Sequence, residues 1–218
     1  MKKEAVLNAA VVVMMVCAVT VTALVVRREI FPPAAAATPA NPVRVGDWRS
    51  FAEGGQKTGN PAAPVTVVEF ADFQCPACRK FADQVHQAEL RHPGKILVVY
   101  RHYPLQAIHP YAMAAANAAE CAAEQGRFAE FHDVLFASQD SIGRTPWVQF
   151  ARAAAVPDTA RFTQCVDQRR YQARIQADIS AGRQLKVDGT PTVVVNGLQF
   201  TGVGSDEDFE SLIVKLLD

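Results

Sequence analysis

Net charge is the first thing this 218-residue chain lacks, because 22 basic side chains stand against 22 acidic ones. Proteins that hold nucleic acid ordinarily carry a strong basic excess, so that class of partner is excluded. No internal repeat is visible along the sequence. Cysteine is sparse, with five residues at 17, 75, 78, 121 and 165. No second Cys-x-x-Cys pair and no His-x-x-x-His accompanies Cys75 and Cys78. Structural zinc takes four ligands, often from two such pairs, so a zinc site is set aside and no metal is expected. The five histidines (86, 92, 102, 109 and 132) are scattered and read as surface or packing residues.

What the chain does have is apolar content, 50% of its residues, much of it gathered near the N-terminus. Residues 5–26 are interrupted only by Asn8, Thr20 and Thr22. As a helix this run is about 33 Å long at 1.5 Å per residue, enough for a hydrocarbon core of roughly 30 Å. A secretory signal has a shorter apolar region with a small-residue cleavage site close behind. Here Arg27, Arg28 and Glu29 intervene before the alanines at 34–37. The run predicts one uncleaved transmembrane helix within an anchor at 1–30, with cleavage at the alanines as the alternative. The paired arginines follow the apolar run, unlike a twin-arginine signal, which precedes it. Lys2, Lys3 and the terminal amine slightly outweigh Arg27 and Arg28, which places the N-terminus inside and the rest of the chain outside. Outside is also where disulfides persist.

Residues 31–60 are rich in Pro, Ala and Gly and predict a tether with little fixed structure, with a short strand at 43–48 as an option. The remainder, 61–218, is long enough for one domain with a sizeable core. Val65–Ala71 is a β-branched run too short for a helix and reads as a strand. Pro76–Arg91 reads as a helix closed by His92, Pro93 and Gly94, and 96–100 as a second strand, parallel to the first if the helix crosses over. From about 110 to 182 the pattern is helical, with Phe128, Phe131, Leu135 and Phe136 on one face. Pro146 and Pro157 mark helix starts there, and Asp158 is placed as a cap. Thr192–Val195, Asn196-Gly197 and Leu198–Thr201 form a hairpin signal, and 205–217 a last helix opened by Ser205 with Asp208. The order describes an α/β domain with a helical insertion.

Cys75-Pro76-Ala77-Cys78 sits at the junction of the first strand and the helix. A dithiol so spaced can open and close as a disulfide. The unpaired N–H groups and dipole of the helix start favour a thiolate on the first cysteine, which can lower its pKa from about 8.5 to somewhere near 3.5–7.5. Pro76 costs nothing at the first helical position, where its missing N–H would have no partner. The motif points to redox chemistry.

Val-Glu-Phe-Ala-Asp-Phe-Gln-Cys-Pro-Ala-Cys at 68–78, with Gly-Thr-Pro-Thr at 189–192, resembles the DsbA-like branch of the thioredoxin superfamily. The resemblance covers about 61–218 and implies a thioredoxin-like fold with an inserted helical subdomain at about 107–183. It implies that Cys75 is the exposed nucleophile and Cys78 the buried resolving thiol. It also implies that Thr190-Pro191 is a cis-proline loop lying against the dithiol, presenting backbone to an extended substrate. Thr190, Pro76 and Ala77 are then substrate-binding positions. Glu69 matches the family's buried acid, which relays the proton of Cys78; the alternative is a carboxylate pointing from the strand into solvent. Similar family members carry cysteines at the places of Cys121 and Cys165, which implies a structural bridge, with two buried thiols as the alternative. The even count left once Cys17 is assigned to the span suits two bridges.

The expected activity is extracytoplasmic thiol:disulfide exchange that introduces disulfides into exported proteins, with no dissociable cofactor. The resemblance implies cysteine-containing clients, a membrane quinone-linked oxidase partner, and a monomer on the periplasmic side of the cell membrane. Two departures leave the direction of electron flow open. Strong oxidants of the family have a histidine where this chain has Ala77, and valine where it has Thr190. A reductase or isomerase on the same scaffold is therefore the alternative, although 31–60 is too short for an isomerase's dimerisation domain. A binding module or chaperone with an incidental dithiol is the other reading.

Overall fold

The computed structural model describes residues 14–15, 42–202 and 204–218. The expected anchor at 1–30 lies outside them, Met14 and Met15 apart. Among the described residues no helix is long and apolar enough to cross a membrane.

The first departure from the sequence reading is the tether. Residues 43–59 are folded: β1 (Val43–Arg44), α1 (Trp48–Glu53) and β2 (Gln56–Gly59) all join the domain. β2 pairs antiparallel with β4 (Ile96–His102), from Gln56↔Tyr100 to Gly59↔Leu97. The side chain of Gln56 donates to Glu120 Oε2 at 2.7 Å, and Arg101 donates to the carbonyl of Phe51 at 3.0 Å. Composition mistook an edge strand for a linker, because a strand whose side chains are half exposed needs little hydrophobic pattern.

β3 (Val65–Ala71) and β4 run parallel through seven paired positions, joined by α2 (Pro76–Arg91). Every β4 residue and all of β3 except Thr66 are buried, as befits a central pair covered on both faces. β4 continues two residues beyond the predicted strand because β3 pairs with it as far as Ala71↔His102. The chain then enters the helical insertion: α3 (Ala112–Ala123), α4 (Phe128–Ala137), a short 3₁₀ turn (Gln139–Ser141), α5 (Trp147–Ala153), α6 (Thr159–Asp167) and α7 (Gln172–Gln184). The Asp158 carboxylate caps α6, accepting from the amides of Ala160 and Arg161. β5 (Thr192–Val195) and β6 (Leu198–Thr201) form the hairpin, with Asn196 and Gly197 both at positive φ as the turn demands. α8 (Asp206–Leu217) begins with Ser205 and Asp208 in a reciprocal capping box. Among the described residues the sheet order is β1-β6-β5-β3-β4-β2.

Three apolar clusters position the site. Phe81, Val85 and Ala88 of α2 and Phe209 and Ile213 of α8 cover one face of the sheet. Val68, Phe70 and Val99 meet Leu185, Val187 and the half-buried Trp48 and Phe51 on the other. The third fills the insertion with Phe131, Leu135 and Phe162, and it extends under Cys75 and Cys78. Each such side chain removed from water contributes roughly 1.5–3 kcal/mol. The dithiol therefore sits where the sheet, α2 and the insertion meet.

Candidate active site

Cys75 occupies the N-cap of α2 with extended backbone, and Pro76 follows at the first helical position. The amides of Cys78 and Arg79 donate to the Cys75 carbonyl at 3.1 and 3.2 Å, closing the first turn. Ahead of it, Asp72 organises the loop. Its carboxylate accepts from the amide of Gln74 at 2.7 Å and that of Leu105 at 2.8 Å. The same carboxylate lies 2.8 Å from Nδ1 of His109, and the Asp72 carbonyl accepts from the Cys75 amide at 3.0 Å. From the insertion, the Gln139 side chain donates to the carbonyls of Phe73 and Cys75 at 2.8 and 3.0 Å. Two elements distant in sequence thus clamp the thiol loop.

Both thiols are unbridged. Cys78 is 0% exposed and Cys75 only 7%. The expected exposed nucleophile is thus the more accessible of two covered thiols, because the loop of Thr190 lies over it. Its Sγ lies 3.3 Å from the Thr190 carbonyl oxygen. The Thr190-Pro191 bond is cis, with Pro191 buried and Thr190 half-buried. Pro76 and Ala77 are exposed beside Cys75. Cys75 is thus flanked by the exposed Pro76 and Ala77 and the half-buried Thr190, while Cys78 and Pro191 are buried.

The electrostatics separate the two sulfurs. Cys75 is brought down from 9.0 to about 5, chiefly by a hydrogen bond from Cys78, against burial, and with help from Thr190 and the amides of Cys78 and Ala77. Burial, and then its role as donor to Cys75, push Cys78 well above the ordinary thiol range. A thiolate beside a protonated partner is the arrangement exchange chemistry requires. Glu69 is 2% exposed, which removes the solvent-facing alternative. Desolvation, with the charge of Cys75 second, pushes its carboxyl up to about 8. Tyr100, paired with Glu69 across β3 and β4, is likewise buried.

Cys121 of α3 and Cys165 of α6 are joined by a disulfide, 44 residues apart in sequence. It lies in the core cluster that also holds the dithiol. Among the described residues no group of three or more His, Cys, Asp or Glu side chains is placed to hold a metal ion. Sequence reasoning missed Asp72, Gln139 and Tyr100. Only Asp72 left a signal, since an Asp two residues before an amide it can accept from marks an Asx turn.

A polarised dithiol opening a helix, faced by a cis-proline loop at the end of a mixed sheet, is an arrangement suited to thiol:disulfide exchange on a thioredoxin-like fold. A family model described as thioredoxin matches residues 52–215. This chain belongs to the thioredoxin family. It is 29% identical over 167 residues to a probable disulfide bond formation protein D of Bacillus anthracis, covering 72% of this chain and 74% of that one. It superposes on oxidised BdbD from Bacillus subtilis with a TM-score of 0.68 at 20% identity, covering 82% of this chain and 98% of that one. It is also 42% identical over 157 residues, 72% of its length, to a Na(+)/H(+) antiporter NhaA 3 of Salinispora tropica. It spans about a quarter of that antiporter's length, the match covering 24% of it.

Proposed function

We propose that this chain is a thiol:disulfide oxidoreductase of the DsbA-like type that donates disulfides to exported proteins outside the cytoplasm. The observation that carries the reading is the acidity of Cys75: a dithiol whose reduced form is held as a stabilised thiolate gives its disulfide away readily. Amides at the start of α2 and the Cys78 thiol supply that stabilisation without a histidine at position 77. A client thiolate attacks Cys75 Sγ of the Cys75–Cys78 disulfide, and Cys78 leaves as a thiolate and takes a proton from Glu69. A second client thiolate then attacks the client sulfur of the mixed disulfide. The client leaves oxidised, and Cys75 leaves as its stable thiolate. Thr190 and Pro191 hold the client segment alongside by backbone pairing.

The apolar run at 5–26 would tether the enzyme, as a monomer, to the outer side of the cell membrane, where a quinone-linked thiol oxidase would restore the disulfide. The similarity to disulfide bond formation protein D supports the extracytoplasmic setting. Replacing Cys78 with Ser tests the reading in cells. Mixed disulfides through Cys75 to cysteine-containing exported proteins are expected, and they disappear when Cys75 is also changed to Ser. A folded C78S protein without adducts would leave only a binding module. Ala77, in place of the strong oxidants' histidine, favours the second reading of a reductase on the same scaffold.

A further inference from the structure

Gln139 is buried, only 7% exposed, and has no part in the exchange steps above. It opens the short 3₁₀ turn that follows α4. Its backbone is anchored on both sides, because Phe136 before it and Ile142 after it are buried in the core cluster that extends under the dithiol. The ring of Phe136 stands 5.1 Å from that of Phe73, centroid to centroid, so this end of α4 packs on the thiol loop itself. From this fixed root the amide nitrogen of Gln139 reaches the carbonyls of Phe73 and Cys75 at 2.8 and 3.0 Å. A methionine would fill the same space, whereas a buried amide without acceptors is costly. The side chain is therefore tied to the two carbonyls it holds.

Those carbonyls flank Gln74, immediately before and at the nucleophile. The Cys75 carbonyl is also the first acceptor of α2, taking the amides of Cys78 and Arg79 at 3.1 and 3.2 Å. Its direction sets the first turn, and with it the aim of the Ala77 and Cys78 amides that stabilise the Cys75 thiolate. The amide of Cys75 is held in turn by the Asp72 carbonyl at 3.0 Å. Both peptide groups of Cys75 are thus tied, one within the thiol loop and one from the insertion. A donor on the Cys75 carbonyl also offsets the negative end of a dipole in the same residue as the thiolate.

We propose that Gln139 is the positioning residue through which the helical insertion sets the redox poise of the dithiol. By holding the carbonyls of Phe73 and Cys75 it keeps the first turn of α2 in the form that favours the open, reduced site. The inference rests on the exchange reading and deepens it, by naming a determinant of the equilibrium outside the motif. Ala77 has no polar side chain to turn towards the thiolate, and Gln139 supplies the tuning from 64 residues away.

The test equilibrates the full-length protein with glutathione and follows iodoacetamide alkylation of Cys75 against pH. Gln139→Met keeps the length of the side chain and removes its donors. It is expected to shift the equilibrium about ten-fold towards the disulfide, a fall of about 30 mV in reduction potential. The alkylation midpoint should rise by about one pH unit, the same ten-fold loss of thiolate stabilisation. Gln139→Glu can donate only while its carboxyl is protonated, so its departure from the unaltered protein should grow as pH rises. This variant carries the test should the methionine variant fail to fold. Phe162→Leu loosens the insertion's core at α6 and is the control. Its urea midpoint should fall, while its potential and alkylation midpoint stay where they were. Unchanged potential and midpoint in the Gln139 variants would overturn the proposal and leave exchange standing. An equal shift in Phe162→Leu would also overturn it, since any loosening of the insertion would then act alike. An unaltered dithiol that never equilibrates with glutathione would overturn the exchange reading itself.

Discussion

Cys75 draws its acidity from a covered position, and its pH dependence follows from that. Burial alone would raise the thiol; the Cys78 hydrogen bond and the amides of Ala77 and Cys78 outweigh it. With the folded value near 5 and the ordinary value at 9.0, stabilisation of the reduced protein is fully present above pH 9. It shrinks as pH falls and is lost below 5. Iodoacetamide alkylation of Cys75 should accordingly rise with a midpoint near pH 5, while Cys78 stays unreactive through neutrality; a midpoint above 8 would contradict the site as described. The motif residues were legible in the sequence because their spacing alone carries the chemistry. Glu69 was legible only by resemblance, since alternation left both faces open and β3 is buried on both. Gln139 was not legible at all. It reaches the Cys75 carbonyl across 64 residues, and no local pattern marks it.

Among the elements, the helices and hairpin followed from periodicity, caps and the Asn-Gly turn, each a local signal. The edge of the sheet did not. β2 reads Gln-Lys-Thr-Gly and is half exposed, so its identity comes from β4, which offers unpaired backbone groups alongside. Its neighbourhood is also a polar anchor. Glu120 accepts from Gln56 and lies against His102 and Arg174, while Arg101 spans Asp178 and Phe51. Deleting the chain through residue 60 removes β2 and takes Gln56 from Glu120, the Phe51 carbonyl from Arg101 and the Gly55 carbonyl from Arg174. Relative to deletion through residue 41, we expect a loss of roughly 2–4 kcal/mol, since each buried group left unsatisfied costs about 1–3 kcal/mol. Urea midpoints measure it, and equal midpoints would mean that 42–60 is the tether its composition suggests. The Cys121–Cys165 bridge closes the insertion on itself, worth about 4 kcal/mol for a loop of about 45 residues on the chain-entropy model. It thereby steadies the insertion that carries Gln139.

At the scale of the whole molecule, the insertion and the sheet share a single task. The sheet and the cis-proline loop set the geometry of the site, and the insertion shields the dithiol. Fold and chemistry were legible together because one motif lies at the junction of strand and helix. Direction was not, since it depends on how far the fold stabilises a thiolate, a quantity that sums contacts from α2 and the loop at 190. The central claim is that this sum makes the protein a disulfide donor despite Ala77. It is tested most directly by the reduction potential of Cys75–Cys78, measured on the full-length protein by equilibration with glutathione. The account predicts a value towards the strong-oxidant end, about −120 mV. A value near −270 mV, at the thioredoxin end, would contradict it and make the protein a reductase.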